Sequence, residues 1–219
     1  MTGTPHDWRE AEGLLFDVEG TLVDAAMPTL HCWQETLGAE GLTVSIPVLH
    51  AFSGMDGMEM LQNLFPGLDA DARKRLVKLE GENYRKNYLP LVQAFPGVGE
   101  TLAALKAKGY RIALATDCQP DELDHYLYIT GIRASIDAAA CGSDVAHGKP
   151  APKLVDLART RLGVRTAVMI GDTPFDARAA VQAGVAALGV ETGGFDGAEL
   201  CAAGCAAAFP DVAAMALAV

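Results

Sequence analysis

The chain has 219 residues, half of them hydrophobic, enough for one large core or two modest ones. Lysine and arginine number 17 against 28 aspartates and glutamates, a formal charge of −11 that argues against nucleic acid or an anionic membrane as partner. An anionic ligand must then be drawn in by local features such as a metal ion, a lysine or helix N-termini.

Residues 1–12 are polar and read as a loose leader, with no targeting signal and no apolar run of membrane-spanning length, so a cytoplasmic protein is expected. The run GLLFD at 13–17 reads as a short, fully buried strand, and Gly20 breaks it. Asp17 and Glu19 lie two apart in extended chain, so both side chains point the same way and can address one substrate. Gly20 permits a sharp turn that frees amides to face an anion. Two carboxylates at a strand end, one nucleophile and one acid/base, are the parts of acyl-phosphate chemistry; a hydrogen-bonded turn is the bland alternative.

From 25 to 95 only helical patterns follow, with apolar residues at helical spacing over 56–64 and a charged amphipathic run over 70–87. No strand of a sheet is expected between 28 and 88. The turn at Phe95, Pro96 and Gly97 leads into a helix over 97–108. Helices over 120–130, 151–162 and 174–183 then alternate with apolar runs at 111–116, 138–141, 166–172 and 185–190, and 206–209 reads as a short edge strand. This alternation predicts an α/β fold, a Rossmann-like parallel sheet with helices on both faces. The helical insertion is predicted to lie as a cap over the carboxyl ends of the strands, where open sheets of this kind bind ligands. The chain thus divides into a core domain, 1–24 and 94–219, and a helical cap domain, 25–93. The five cysteines (Cys32, Cys118, Cys141, Cys201 and Cys205) form no CxxC pair and read as reduced thiols. Cys201 and Cys205, four apart among alanines, are expected on one buried helix face.

Further polar residues fall at the ends of these strands. Thr116 offers a hydroxyl to a phosphoryl oxygen, with Asp117 beside it. Lys149, between Gly148 and Pro150, can neutralise charge on a phosphoryl group. In the run GDTPFD at 171–176, Asp172 supplies a hard oxygen ligand suited to Mg²⁺, while Pro174 and Asp176 suit a helix N-terminus.

The ordered set resembles the haloacid dehalogenase superfamily pattern: Asp-x-Asp-Gly-Thr, then Ser/Thr, then Lys-Pro, then Gly-Asp-x-x-x-Asp. The spacing fits along nearly the whole chain, and the insertion resembles the helical cap of the phosphoglycolate-phosphatase-like branch. That resemblance implies a Mg²⁺-dependent phosphatase acting on a small phosphorylated metabolite through an aspartyl phosphate on Asp17, as a monomer or homodimer. Glu19 would serve as general acid/base. Asp17, the backbone carbonyl of Glu19 and Asp172 would hold Mg²⁺, with Asp176 in the outer shell. Gly20, Thr21, Thr116, Asp117 and Lys149 would surround the phosphoryl group.

Two positions depart from the pattern. Glu19 stands where the superfamily usually has Asp, and is longer by ~1.5 Å; enolase-phosphatases of the superfamily also show Asp-x-Glu-Gly-Thr. Asp117 stands where relatives often carry Ser or Asn, and adds negative charge. Glu19 argues against the dehalogenase and phosphonatase branches. A phosphosugar mutase remains an alternative and needs a second phosphate site, for which Arg73, Lys74 or Arg75 are the candidates. A member that binds a phosphometabolite or a protein without turnover is the other alternative.

Overall fold

A computed structural model describes residues 8–219. Of the expected leader, 1–7 lie outside the described residues. The remainder is not loose: Trp8–Glu10 forms one tight helical turn that buries Trp8 against the core.

The chain opens with β1 (Gly13–Phe16) and then runs through four helices, α1 (Ala26–Ala39), α2 (Ile46–His50), α3 (Gly57–Leu64) and α4 (Ala70–Asn83). A π-helical turn, Tyr84–Tyr88, ends this excursion. Alternation follows: α5 (Val98–Ala107), β2 (Arg111–Ala115), α6 (Pro120–Thr130), β3 (Ala138–Ala140), α7 (Lys153–Leu162), β4 (Ala167–Gly171), α8 (Pro174–Gln182), β5 (Ala186–Val190), α9 (Gly197–Ala203), β6 (Cys205–Phe209) and α10 (Val212–Ala216). The six strands form one parallel sheet in the order β3-β2-β1-β4-β5-β6.

The strands read as continuous apolar runs because both faces are covered. Leu14, Phe16, Ile112, Leu114, Val168 and Ile170 pack on one face, with Leu102 and Leu105 of α5. The alternate residues Leu15, Ala113, Ala115 and Met169 pack on the other, with Leu154, Ala158 and Leu162 of α7. A third apolar cluster belongs to the inserted helices alone: Leu30, Trp33, Leu37, Leu49, Met60, Leu61 and Leu76. Among the described residues no helix is long and apolar enough to cross a membrane.

The cysteine expectation is corrected. Cys201 is exposed on α9, whereas Cys205 is buried and opens β6. Gly204, at φ +125°, ends the helix between them, so the four-residue spacing never becomes one helix face.

The sheet order makes β1 a central strand, flanked by β2 and β4. Asp17 continues the ladder past β1, its amide bonded to the Ile170 carbonyl at 2.9 Å, and the Thr116 amide reaches Ala140 at 3.1 Å. The carboxyl ends of β1, β2 and β4 therefore deliver Asp17, Thr116 and Asp172 to one edge, where strand order reverses and such folds bind ligands.

Candidate active site

Lys149 is the hub of that edge. It reaches in from the loop between β3 and α7 and is almost wholly buried. Its Nζ lies 2.8 Å from Asp17 Oδ1, 2.7 Å from Asp176 Oδ1 and 3.6 Å from Asp117 Oδ2. Burial alone would lower its pKa, but Asp17, Asp176 and Asp117 outweigh it and hold the ammonium protonated. Asp17 is pushed up to about 7, chiefly by burial, with Lys149 pulling the other way and Asp176 adding to the rise.

Asp176 owes its place to the start of α8. Thr173 and Asp176 form a reciprocal cap, Thr173 Oγ1 donating to Asp176 Oδ2 at 2.7 Å, with Pro174 in the first turn. The other oxygen remains free for Lys149. Gly171 is required there because a Cβ would overlap the Asp176 carboxylate.

Asp172 is buried and takes a 2.7 Å hydrogen bond from Thr21 Oγ1. Burial, then Asp176 and Asp17, drive its pKa well upward. Its carboxylate is wedged between Gly20 and Gly193, at either of which a Cβ would overlap it. Carboxylate oxygens of Asp17, Asp172 and Asp176 all lie within 4.8 Å of one another. Three hard oxygen donors so close, in a buried cradle kept open by glycines, fit a small divalent cation. The Glu19 carboxylate is not among them.

The remaining sequence-predicted residues are placed as follows. Thr116 is buried, and its Oγ1 accepts from the Cys118 amide at 3.3 Å. Asp117 turns towards the site, accepting from the Lys149 amide at 3.2 Å, and sits near 6, raised by burial. The Gly20 and Thr21 amides do not face an anion: they bond the carbonyls of Val23 and Val18 within the turn, at 2.8 and 3.3 Å. Thr21 likewise has its hydroxyl committed to Asp172 rather than open to a phosphoryl group. Arg73, Lys74 and Arg75 do not reach the cavity described below. Arg73 donates to the Leu68 carbonyl at 2.6 Å and Arg75 pairs with Glu40 at 2.7 Å.

The inserted helices close over this edge. Gly54, at φ +84°, lies against Thr173, where a Cβ would strike its hydroxyl. The Asp56 amide bonds the Lys149 carbonyl at 3.1 Å. His50 pairs with the Gly193 carbonyl at 2.9 Å and stacks on Phe195. A small pocket of about 50 Å³ lies under them, lined by Asp17, Glu19, Lys149, Asp172, Ser53 and Gly54. A larger cavity of about 460 Å³ extends from Glu19 between the inserted helices and α6.

Sequence reasoning missed the residues that hold Glu19. Tyr126 Oη on α6 donates to Glu19 Oε1 at 2.6 Å and is itself paired with Tyr84 Oη at 2.7 Å. Glu80 and Arg85 from the inserted segment and Glu122 from α6 face the same cavity. Burial first, then Glu122, pushes Glu19 up to about 8.

Residues 14–190 match the family described as haloacid dehalogenase-like hydrolase. A probable phosphatase, IndB, from Dickeya dadantii (strain 3937) is 33% identical over 194 residues, covering 82% of this chain and 81% of its own. Pyrophosphatase PpaX from Bacillus velezensis is 31% identical, covering 83% of this chain and 84% of its own. A crystal structure of a hydrolase from Pseudomonas syringae superimposes with a TM-score of 0.87 at 26% identity, covering 93% of this chain and 95% of its own.

Proposed function

The chain belongs to the haloacid dehalogenase-like hydrolase family, and from that premise we propose that it hydrolyses a small phosphomonoester by phosphoryl transfer to Asp17. Its phosphatase-named kin make it a phosphoric monoester hydrolase. The observation that carries the mechanism is the buried Asp17–Lys149 contact of 2.8 Å at the end of β1, opening on a pocket that Glu19 also lines. In this reading residues 1–24 and 94–219 are the core domain and 25–93 the cap.

The Asp17 carboxylate attacks phosphorus as the bond to the alcohol oxygen breaks. Glu19, protonated at neutral pH by its raised pKa, gives its proton to the departing alkoxide. The resulting Glu19 carboxylate then takes a proton from water, whose oxygen attacks the same phosphorus. The bond to Asp17 breaks, releasing inorganic phosphate and restoring the Asp17 carboxylate and the protonated Glu19. Lys149 balances charge on the phosphoryl oxygens, and Asp176 fixes the lysine in place. Thr116 Oγ1, which accepts from the Cys118 amide, would donate its proton to a phosphoryl oxygen. Asp17, Asp172 and the Glu19 carbonyl would hold Mg²⁺, with Asp176 in the outer shell. The ion supplies charge neutralisation between nucleophile and phosphoryl group.

An aryl phosphate assayed with Mg²⁺ tests this. Turnover that Asp17→Asn abolishes is the expected result, and persistent steady turnover in that variant, deamidation excluded, would overturn it.

A further inference from the structure

The 460 Å³ cavity beyond Glu19 has a lining of two kinds. Leu30, Trp33, Phe52 and Met60 are among its apolar residues. Its charged residues, among those described, are five carboxylates, Glu19, Asp56, Glu80, Asp117 and Glu122, and two cations, Lys78 and Arg85. Both cations are already paired: Lys78 with Glu82 at 3.7 Å, Arg85 with Asp121 at 3.5 Å and Glu122 at 3.3 Å.

Most of the carboxylates are also spoken for. Asp56 caps α3 through the Met58 and Glu59 amides. Glu122 accepts from the Gln119 amide at 2.7 Å as well as from Arg85. Asp117 faces Lys149, and Glu19 takes the Tyr126 hydroxyl. Glu80 differs. The Cys32 thiol, a weak donor, reaches its backbone carbonyl at 3.5 Å and lies beside its carboxylate.

Resting on the phosphatase reading above, we propose that the alcohol half of the substrate carries no second anion. It presents an apolar body to Trp33 and Met60 and a hydrogen-bond donor, hydroxyl or ammonium, to Glu80. A leaving group ending in carboxylate or phosphate would add a further anion to these five carboxyl groups, with Lys78 and Arg85 as the cations in the lining, each within reach of a carboxylate already. The lining is already short of positive charge: burial first, then Glu19 and Glu122, raise Glu80 to about 8 and keep it largely protonated at neutral pH. A pyrophosphatase-like or bisphosphate substrate, or one carrying a carboxylate, is disfavoured on the same ground.

The test is a matched set of alkyl phosphates of equal chain length, at two lengths, ending in methyl, hydroxyl, ammonium or carboxylate. The leaving oxygen is the same in all, so differences in kcat/KM report the far end. We expect the hydroxyl or the ammonium compound to exceed the methyl one, and the carboxylate to fall at least ~30-fold below the better donor. Whichever donor leads identifies its class. Glu80→Gln should shrink the donor-to-methyl ratio and, above pH 8 where Glu80 ionises, raise the carboxylate-to-methyl ratio. A carboxylate compound that is the best of the four overturns the proposal, as do both donors at or below methyl, or ratios untouched by Glu80→Gln. Failure of the phosphatase reading looks different: neither these compounds nor an aryl phosphate is hydrolysed with Mg²⁺, and the proposal falls with it.

Discussion

Tyr126 donates to Glu19 across 107 residues of sequence at 2.6 Å, so a core helix holds the acid that follows β1. Tyr84, from the π-helical turn, closes the chain of hydrogen bonds at 2.7 Å and ties it to the inserted helices. Glu is ~1.5 Å longer than Asp, and the phenol supplies a fixed anchor for that length. Tyr126→Phe should therefore lower kcat on alkyl phosphates by ~10-fold, with less effect on aryl phosphates, whose oxygen leaves without a proton. A purely structural loss would lower both alike. In a Glu19→Asp background, where the acid falls short of the phenol, Tyr126→Phe should add little; fully additive effects would separate the tyrosine from Glu19.

Glu19 itself is tested by leaving group and by step. Glu19→Ala should suppress alkyl phosphate hydrolysis strongly and aryl phosphate hydrolysis less in its first step. The second step then lacks an activated water, so rapid mixing should show a burst of aryl alcohol before a slow steady rate. Glu19→Asp should cost ~10-fold, because the anchor is set for the longer side chain. A Glu19→Asp enzyme faster than the parent would mean that Glu19 weakens the site.

Gly193 provides a steric probe of Asp172. A methyl group there would overlap the Asp172 carboxylate. Gly193→Ala should push that carboxylate aside and raise the Mg²⁺ concentration for half-maximal activity by ~10-fold or more. The rise in Tm on adding Mg²⁺ should shrink in parallel. An unchanged Mg²⁺ requirement would take Asp172 out of the metal site.

What the amino-acid order revealed follows from where its signals are local. Strand β1 and Asp17 are contiguous, as are β4 and Asp172, so an apolar run followed by a carboxylate marks a strand end directly. Lys149 precedes Pro150 and Asp176 follows Pro174 by two residues, and those prolines punctuate loop and helix. Tyr126, Tyr84 and Glu80 carry no such mark. Tyr126 lies on the buried face of α6 and reads as core, and Glu80 lies in a charged amphipathic helix and reads as solvated surface. Only the packing of α4 and α6 around one cavity brings them to Glu19. The pairing of the Gly20 and Thr21 amides with the carbonyls of Val23 and Val18 is unmarked for a similar reason: it depends on how the turn folds back on itself.

Glu80 carries a stability signature that its placement in the cavity explains. Its ordinary value is 4.5, and burial, with Glu19 and Glu122 facing it, raises it to about 8 against the opposing pull of Arg85 and the Cys32 hydrogen bond. The folded chain then binds this proton more tightly than the unfolded chain does. Stability from this site is fullest below pH 4.5, falls as pH rises through 8, and levels off above. Glutamine has no proton to lose, so Glu80→Gln should escape the decline. The variant and parent should unfold at nearly the same temperature at pH 5. By pH 9 the variant should be more stable by on the order of 2 kcal/mol, with allowance for water in the cavity, or ~5 °C in Tm. Calorimetric scans at fixed Mg²⁺ across that range measure it. Parallel curves for the two proteins would show that Glu80 is solvated like a surface residue, and a carboxylate so well hydrated would have little need of a donor from the substrate.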